Sequence, residues 1–421
     1  MDCVFEKDQC DIFLVTKLPY LPRNGRELAF TPSRLELLHS SEGSRAVTYN
    51  RLGFVYKLRL LRSPCSKKFS RILSRLRANY LFIMASTLPT PEALDRMGDI
   101  DPEIKPLQDK ATAAWQMPEG VEPETLIKMM RAGLDKLPIP PPDADVEEHK
   151  SSYTTRDDTT LRLCVFKPAR DSSRPLPLFV WYHGGGGCLG SPESTAAFCR
   201  TIVKDHRCVV VAPQYRLAPE YKSPAQVEDS RDALKHIVAH VSDFGADASV
   251  GLLIGGESAG AVIAAVLALQ ARDEPLSSPL TGLYLTAGSY FNPDDIPAEY
   301  KDHYRSRFDP ACIGSPMLSK TAKAAFDACL QGDYSSPMFK AALWPSGHAG
   351  LPKTYLQTCG QDINRDEGIL YTDLLAKSGV ETRLDVYPGC PHCFWHLFPD
   401  VAQAKKWRAE TQEGIAWLLE K

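Results

Sequence analysis

The residues whose types and placement could do chemistry are Ser258, Asp362 and His392. Ser258 is the centre of Gly256-Glu257-Ser258-Ala259-Gly260. Before that run, residues 250–255 read as a short buried strand; after it, residues 261–270 are apolar and alanine-rich and read as a buried helix. A turn this tight leaves no room for side chains two residues before and two after the serine, hence Gly256 and Gly260. It would hold the Ser258 hydroxyl at the tip of a strand and at the positive end of a helix, where a developing oxyanion or alkoxide is favoured. Five-residue patterns recur by chance, so the serine needs partners elsewhere in the chain.

A serine hydroxyl is a poor nucleophile at neutral pH and needs a base to take its proton. His392, in Tyr387-Pro388-Gly389-Cys390-Pro391-His392-Cys393-Phe394, stands on a loop after a late strand, where such a base belongs. Asp362 follows the strand expected at 354–357 and could accept the Nδ1 proton of His392, holding the productive tautomer. Asp366 and Glu367 are rival acids, a helical turn farther from the strand tip. His396 falls on the helix after His392 and reads as a surface or lid histidine.

His183-Gly184-Gly185-Gly186-Gly187 follows the strand expected at 176–182. Four glycines in succession are costly in chain entropy, so a backbone role is the natural explanation. The amides of Gly184 and Gly185, with that of Ala259 as a third donor, could approach the O⁻ of a tetrahedral intermediate. His183 reads as an anchor for the loop rather than an acid or base. A phosphate loop is the competing reading, and it fails because no Lys-Ser/Thr follows and the next helix begins too late. Cys390-Pro391-His392-Cys393 could suggest a redox or zinc site, but no second ligand pair and no redox βαβ context accompanies it. No metal is assigned.

These groups need a scaffold that brings distant strand ends together. Strands are expected at 160–166, 176–182, 208–212, 250–254, 282–285, 354–357 and 382–387, with helices at 194–205, 226–241 and 402–420 between or after them. Alternating strand and helix argue the α/β class, a mainly parallel central sheet with helices on both faces. The interval 291–350 is too long for a connection and reads as an insertion over the sheet's edge, a lid or half of one. Helices near 90 and over 124–136, followed by the Pro138-Ile139-Pro140-Pro141-Pro142 hinge, must pack on the main domain, because two helices alone bury little surface. The expected organisation is therefore an extension at 1–83, cap helices and hinge at 84–145, and a catalytic domain at 146–421.

Composition is that of an ordinary globular chain: 421 residues, 43% hydrophobic, 24% charged and a net charge of -3. That balance gives no reason to expect nucleic acid as a partner, and no apolar run is long enough for a transmembrane helix. Twelve cysteines without framework spacing read as free thiols in a reducing compartment, which points to the cytosol. Residues 1–83 differ from the rest, with 15 Lys and Arg against 7 Asp and Glu and no strand pattern. Their runs at 57–62 and 71–77 could form a basic amphipathic helix for a membrane surface or for targeting. The simpler expectation is a disordered extension, or an upstream start with Met84 as the working one.

From residue 88 onward the chain resembles the hormone-sensitive-lipase-like branch of the α/β-hydrolases. The resemblance rests on His183-Gly184-Gly185-Gly186, Tyr215-Arg216-Leu217-Ala218-Pro219-Glu220, Gly256-Glu257-Ser258-Ala259-Gly260, Asp362-Ile363-Asn364-Arg365-Asp366-Glu367-Gly368 and His392-Cys393-Phe394, in that order. It implies a carboxylic-ester hydrolase without cofactors, acting on a small-molecule ester, with a helical cap built from 88–136 and 291–350. Arg216 and Glu220 would be structural, as would Gly186. Ser258, Asp362 and His392 stand in the chain order that the family uses. Glu257 stands where Asp or Thr is commoner, Ala261 where Gly is frequent, and Gly187 where an aromatic is frequent, which implies a larger acyl pocket. The same motifs would serve a dedicated natural-product enzyme that deacylates, lactonises or releases its product. A ligand receptor such as the plant gibberellin receptors lacks the catalytic histidine, whereas His392 is present here.

A chain truncated to begin at Met84 is expected to fold and to hydrolyse the same esters as the full chain. Loss of solubility or activity on truncation alone would show that residues 1–83 support the domain.

Overall fold

The computed structural model of the chain describes residues 14–18, 36–39, 45–51, 54–60, 88–108, 120–134, 136, 141–170 and 174–420. The chain divides into two units, Met1–Ala85 and Ser86–Lys421. In the first, β1 (Leu14–Leu18), β2 (Glu36–His39), β3 (Arg45–Arg51) and β4 (Phe54–Leu60) form an antiparallel sheet in the order β1-β4-β3-β2. The sequence reading expects no strand here and draws 57–62 into a basic helix. Phe54, Tyr56, Leu58 and Leu60 alternate with Lys57 and Arg59, and that period of two belongs to a strand. The run at 71–77, Met84 and Pro138 to Pro140 lie outside the described residues.

The second unit is built on eight strands: β5 (Val146–Thr154), β6 (Thr160–Pro168), β7 (Leu178–Tyr182), β8 (Val209–Pro213), β9 (Leu252–Glu257), β10 (Gly282–Thr286), β11 (Lys353–Gln361) and β12 (Thr382–Pro391). Their order is β12-β11-β10-β9-β7-β8-β6-β5. The six from β8 to β12 run parallel, while β6 pairs antiparallel with both β8 and β5. The seven expected strands are all present. β5 escapes the sequence reading because it is an edge strand with only Val146 and Tyr153 buried, and an edge of that kind carries little hydrophobic pattern.

Helices connect the strands: α1 (Pro91–Met97), α2 (Pro123–Leu134), α3 (Ala196–His206), α4 (Ala225–Ala239), α5 (Ala259–Asp273), α6 (Pro310–Ile313), α7 (Lys320–Leu330), α8 (Arg365–Lys377), α9 (Phe394–Leu397) and α10 (Ala402–Leu419). The pleat sends alternate residues to opposite layers. Leu178, Val180 and Tyr182 of β7 join one core with α4, α5 and α8, while Phe179 and Trp181 join the other with α3 and α10. Nine of the ten α5 residues from Gly260 to Leu269 are buried, so this helix lies inside the molecule. A separate apolar cluster joins Ile127 and Met130 of α2 to Ala322, Phe326 and Leu330 of α7 and to Cys188 and Leu189 of the glycine-rich loop. No helix among the described residues is long and apolar enough to cross a membrane.

Every strand of the parallel set therefore ends on the same rim, the usual location for ligands in such sheets. Leu285, fully buried on β10 in the core shared with α5, tests this layer. Leu285→Ala is expected to lower stability by about 2–5 kcal/mol, read as a lower denaturation midpoint at unchanged slope.

Candidate active site

Ser258 is reached at the end of β9, between β7 and β10 in the middle of the sheet. Its φ of 52° and ψ of −114° lie where a residue with a side chain is strained. Two glycines make that geometry sterically possible. A Cβ on Gly256 would lie 2.2 Å from the carbonyl carbon of Gly260, and one on Gly260 would lie 2.1 Å from the carbonyl oxygen of Tyr182. The Ser258 amide donates to the carbonyl of Thr286 at 2.8 Å, which ties the turn to the end of β10.

The later strands bring the other two groups to the same place. His392 Nε2 lies 2.9 Å from Ser258 Oγ, and its Nδ1 lies 2.5 Å from Asp362 Oδ2. Both His392 and Asp362 are buried, and Asp362 Oδ1 also accepts from the Asn364 amide at 2.9 Å. Both imidazole nitrogens are thus engaged by the protein. A register shift between β11 and β12 precedes the site: Cys359 pairs with Tyr387, but Gln361 pairs with Pro391. The extra residues on β12 form a bulge, a common device for re-aiming a side chain beside a site.

The rival acids are occupied elsewhere. Asp366 accepts from the amides of Arg305 and Ser306 at 2.7 and 2.6 Å, and Glu367 from those of Tyr290 and Phe291 at 2.6 and 2.9 Å. They hold the insertion to the start of α8 rather than orient the histidine.

The glycine-rich loop runs along the serine turn, with a Cβ on Gly184 falling 3.4 Å from Ser258 Cβ. Among the described residues, no protein carbonyl takes the amides of Gly184, Gly185 or Ala259. His183 is buried; its Nδ1 donates to the Gly184 carbonyl at 2.8 Å, and Tyr215 stacks on its ring and donates to its carbonyl at 2.8 Å. Burial pulls the imidazole down to about 4, so it stays neutral in this anchoring position. The space that glycine in place of an aromatic at position 187 would free is filled, as it is beside Gly186. A Cβ at Gly186 would lie 2.6 Å from the Phe326 ring, and one at Gly187 would lie 2.8 Å from Leu330 Cδ1. Those two side chains of α7 occupy the space.

Arg216 and Glu220 are placed at a remove from the serine. Arg216 forks onto Asp229 at 2.7 and 2.9 Å and reaches Asp157 at 2.7 Å. Glu220 pairs with Arg131 of α2 at 2.8 Å, and Arg131 also donates to the carbonyls of Cys188 and Ala218 at 2.9 and 2.6 Å. Sequence reasoning missed Arg131, which fastens α2 to the glycine-rich loop. It also missed the bond between Glu257 and His396, 2.9 Å long, which gives the half-exposed His396 a partner at the serine turn.

Residues 179–396 match the family model described as the alpha/beta hydrolase fold. Carboxylesterase NlhH of Mycobacterium tuberculosis is 30% identical, covering 76% of this chain and 95% of that one. Versiconal hemiacetal acetate esterase of Dothistroma septosporum is 30% identical, over 70% of this chain and 88% of that one. Among solved structures, vibralactone cyclase matches with a TM-score of 0.68 at 32% identity, covering 77% of this chain and 96% of that one.

The cysteines beside His392 give a chemical test of burial. Cys390 and Cys393 are free and buried, and burial pushes both thiols well above the usual range. A thiol held neutral and covered is a poor target, so native enzyme should keep its activity after iodoacetamide treatment. Rapid inactivation, abolished by Cys390→Ser with Cys393→Ser, would show that these thiols are reached.

Proposed function

The chain belongs to the α/β-hydrolase fold family, in its hormone-sensitive-lipase-like, carboxylesterase branch, and from that premise we propose that it cleaves its ester through an acyl-enzyme on Ser258. The reaction class is carboxylic ester hydrolysis. The observation that carries the mechanism is the unbroken chain from Ser258 Oγ through His392 to Asp362, at 2.9 and 2.5 Å.

In the proposed reaction, Ser258 Oγ attacks the ester carbonyl while His392 Nε2 takes its proton. The carbonyl oxygen becomes O⁻ and is met by the amides of Gly184, Gly185 and Ala259, the last at the first turn of α5 where the helix dipole adds to the effect. The imidazolium, supported by Asp362, then gives its proton to the leaving alkoxide, which departs as the alcohol. Water enters, His392 takes a proton from it, and the attack releases the carboxylic acid and restores Ser258.

The substrate read from the site is a small or medium carboxylic ester, because Phe326 and Leu330 close the space over the glycine-rich loop. A second reading uses the same groups in a dedicated natural-product step, such as deacylation, lactonisation or product release. It is favoured by the names of two relatives, a versiconal hemiacetal acetate esterase and a vibralactone cyclase. Hydrolysis of p-nitrophenyl esters of increasing chain length separates the two. Fast turnover of short esters supports the general esterase, and negligible turnover of all of them supports the dedicated enzyme.

Ser258→Ala and His392→Ala should each lower kcat by a factor on the order of 10³ to 10⁶, with little added loss in the double variant, because the two act as one unit. Either variant retaining turnover within tenfold of the parent would remove the assignment.

A further inference from the structure

The residue before Ser258 carries a carboxylate that the mechanism above does not use. Glu257 Oε2 accepts from Trp395 Nε1 at 2.9 Å, and Oε1 pairs with His396 Nε2 at 2.9 Å. Both partners are on α9, three and four residues after His392. Trp395 is itself pinned, its ring stacked on Trp407 of α10 at 4.3 Å with the planes 2° apart. At the glycine-rich loop, a Cβ on Gly184 would lie 3.1 Å from the Glu257 carbonyl oxygen and 3.4 Å from Oε1. Glu257 thus touches all three segments that the reaction needs in register: the serine turn, the amide loop and the histidine loop.

We propose that Glu257 is a positioning residue that holds His392 against Ser258 through Trp395 and His396, and that its carboxylate is a second negative charge supporting the imidazolium. The proposal rests on the triad reading above. Asp362 meets the ring at Nδ1, and Glu257, next to Ser258 in the chain, is bonded to the third and fourth residues after His392, which brings its charge to the same site. That same carboxylate would lie 3.4 Å from a Cβ on Gly184, and at this distance from the loop its charge opposes a developing O⁻. His396 limits this cost by pairing with it. Burial alone would lower the His396 imidazole, but Glu257 outweighs it and keeps His396 protonated to higher pH than usual. Burial alone would raise the Glu257 carboxyl, and His396, Trp395 and His392 together bring it below the usual range. Other titratable groups near this site include the Asp362 carboxylate, the thiols of Cys359, Cys390 and Cys393, which burial holds protonated, and His183, which burial keeps neutral.

Charge and packing make different predictions for the pH profile of kcat/KM, whose acid limb reports the base of the free enzyme. The profile would be measured on p-nitrophenyl butyrate at the isosbestic wavelength of p-nitrophenol. Glu257→Gln removes the negative charge and should move the acid limb down by about half a unit, with kcat falling about threefold. His396→Gln removes the positive charge that offsets Glu257 and should move the limb up by a comparable amount. Trp395→Phe removes a donor without altering charge and should lower kcat with the limb unmoved. A purely structural role would lower kcat in all three and leave the limbs coincident. Coincident limbs, or shifts of the same sign in the two charge variants, overturn the proposal. If Glu257→Gln does not fold, His396→Gln on the half-exposed side chain decides alone, an upward shift supporting and no shift refuting. Ser258→Ala separates the layers: activity retained there removes the triad reading, whereas an inactive Ser258→Ala with coincident limbs elsewhere removes only this inference.

Discussion

The catalytic end of this molecule depends on how closely α5 approaches the strand beside it. The first turn of the helix runs so near the end of β7 that a single methyl on Gly260 would collide with the Tyr182 carbonyl. That approach is what allows the chain to leave β9, bend through a strained Ser258 and enter a helix at once. Strain of this kind costs on the order of 1–3 kcal/mol and persists only where the surroundings over-determine the backbone. Here they do. The Ser258 amide is held by Thr286, its carbonyl accepts from Ala261 and Val262 at 3.0 and 3.2 Å, and the helix behind it is buried along its length.

A second constraint is electrostatic and holds the insertion. Asp366 and Glu367 sit at the start of α8, fully buried, and gather backbone amides from 290–291 and 305–306. Uncompensated, two such carboxylates would be very costly to bury. Arg365 meets Asp366 at 2.7 Å, while Lys340 and Arg307 approach Glu367 at 3.8 and 3.6 Å. Burial brings the Lys340 ammonium down to about 8, which marks how dry that pocket is. Since α8 begins just after Asp362, the same cluster that tethers the insertion also fixes the backbone from which Asp362 projects.

Much of this was legible from the chain because the relevant signals are local. Apolar runs such as 178–182 and 209–213 mark buried strands without knowledge of their neighbours, and a serine between paired glycines marks its own turn. Asp362 and His392 are legible as candidates because each follows such a strand, in a fixed order. The parts that stayed hidden are those where the signal is a meeting of distant, common residues. Arg131 and Glu220 are 89 positions apart, and Glu257 and His396 are 139 apart. Nothing in an isolated Glu or Arg announces such a partner. α8 was obscured for the opposite reason: Arg365, Asp366 and Glu367 resemble an exposed face and are wholly buried. The strands β1 to β4 are hidden in the sequence because basic residues occupy one of the two alternating sets of positions in strands such as β4.

The seating of Phe326 and Leu330 on Gly186 and Gly187 carries a consequence for selectivity. A covering helix and an amide loop that share a contact surface cannot move independently. On the proposed mechanism, an ester too bulky for the space would have to displace α7, and with it the loop whose amides are to meet the carbonyl oxygen. Discrimination by size in an enclosure coupled in this way would fall on turnover more than on affinity.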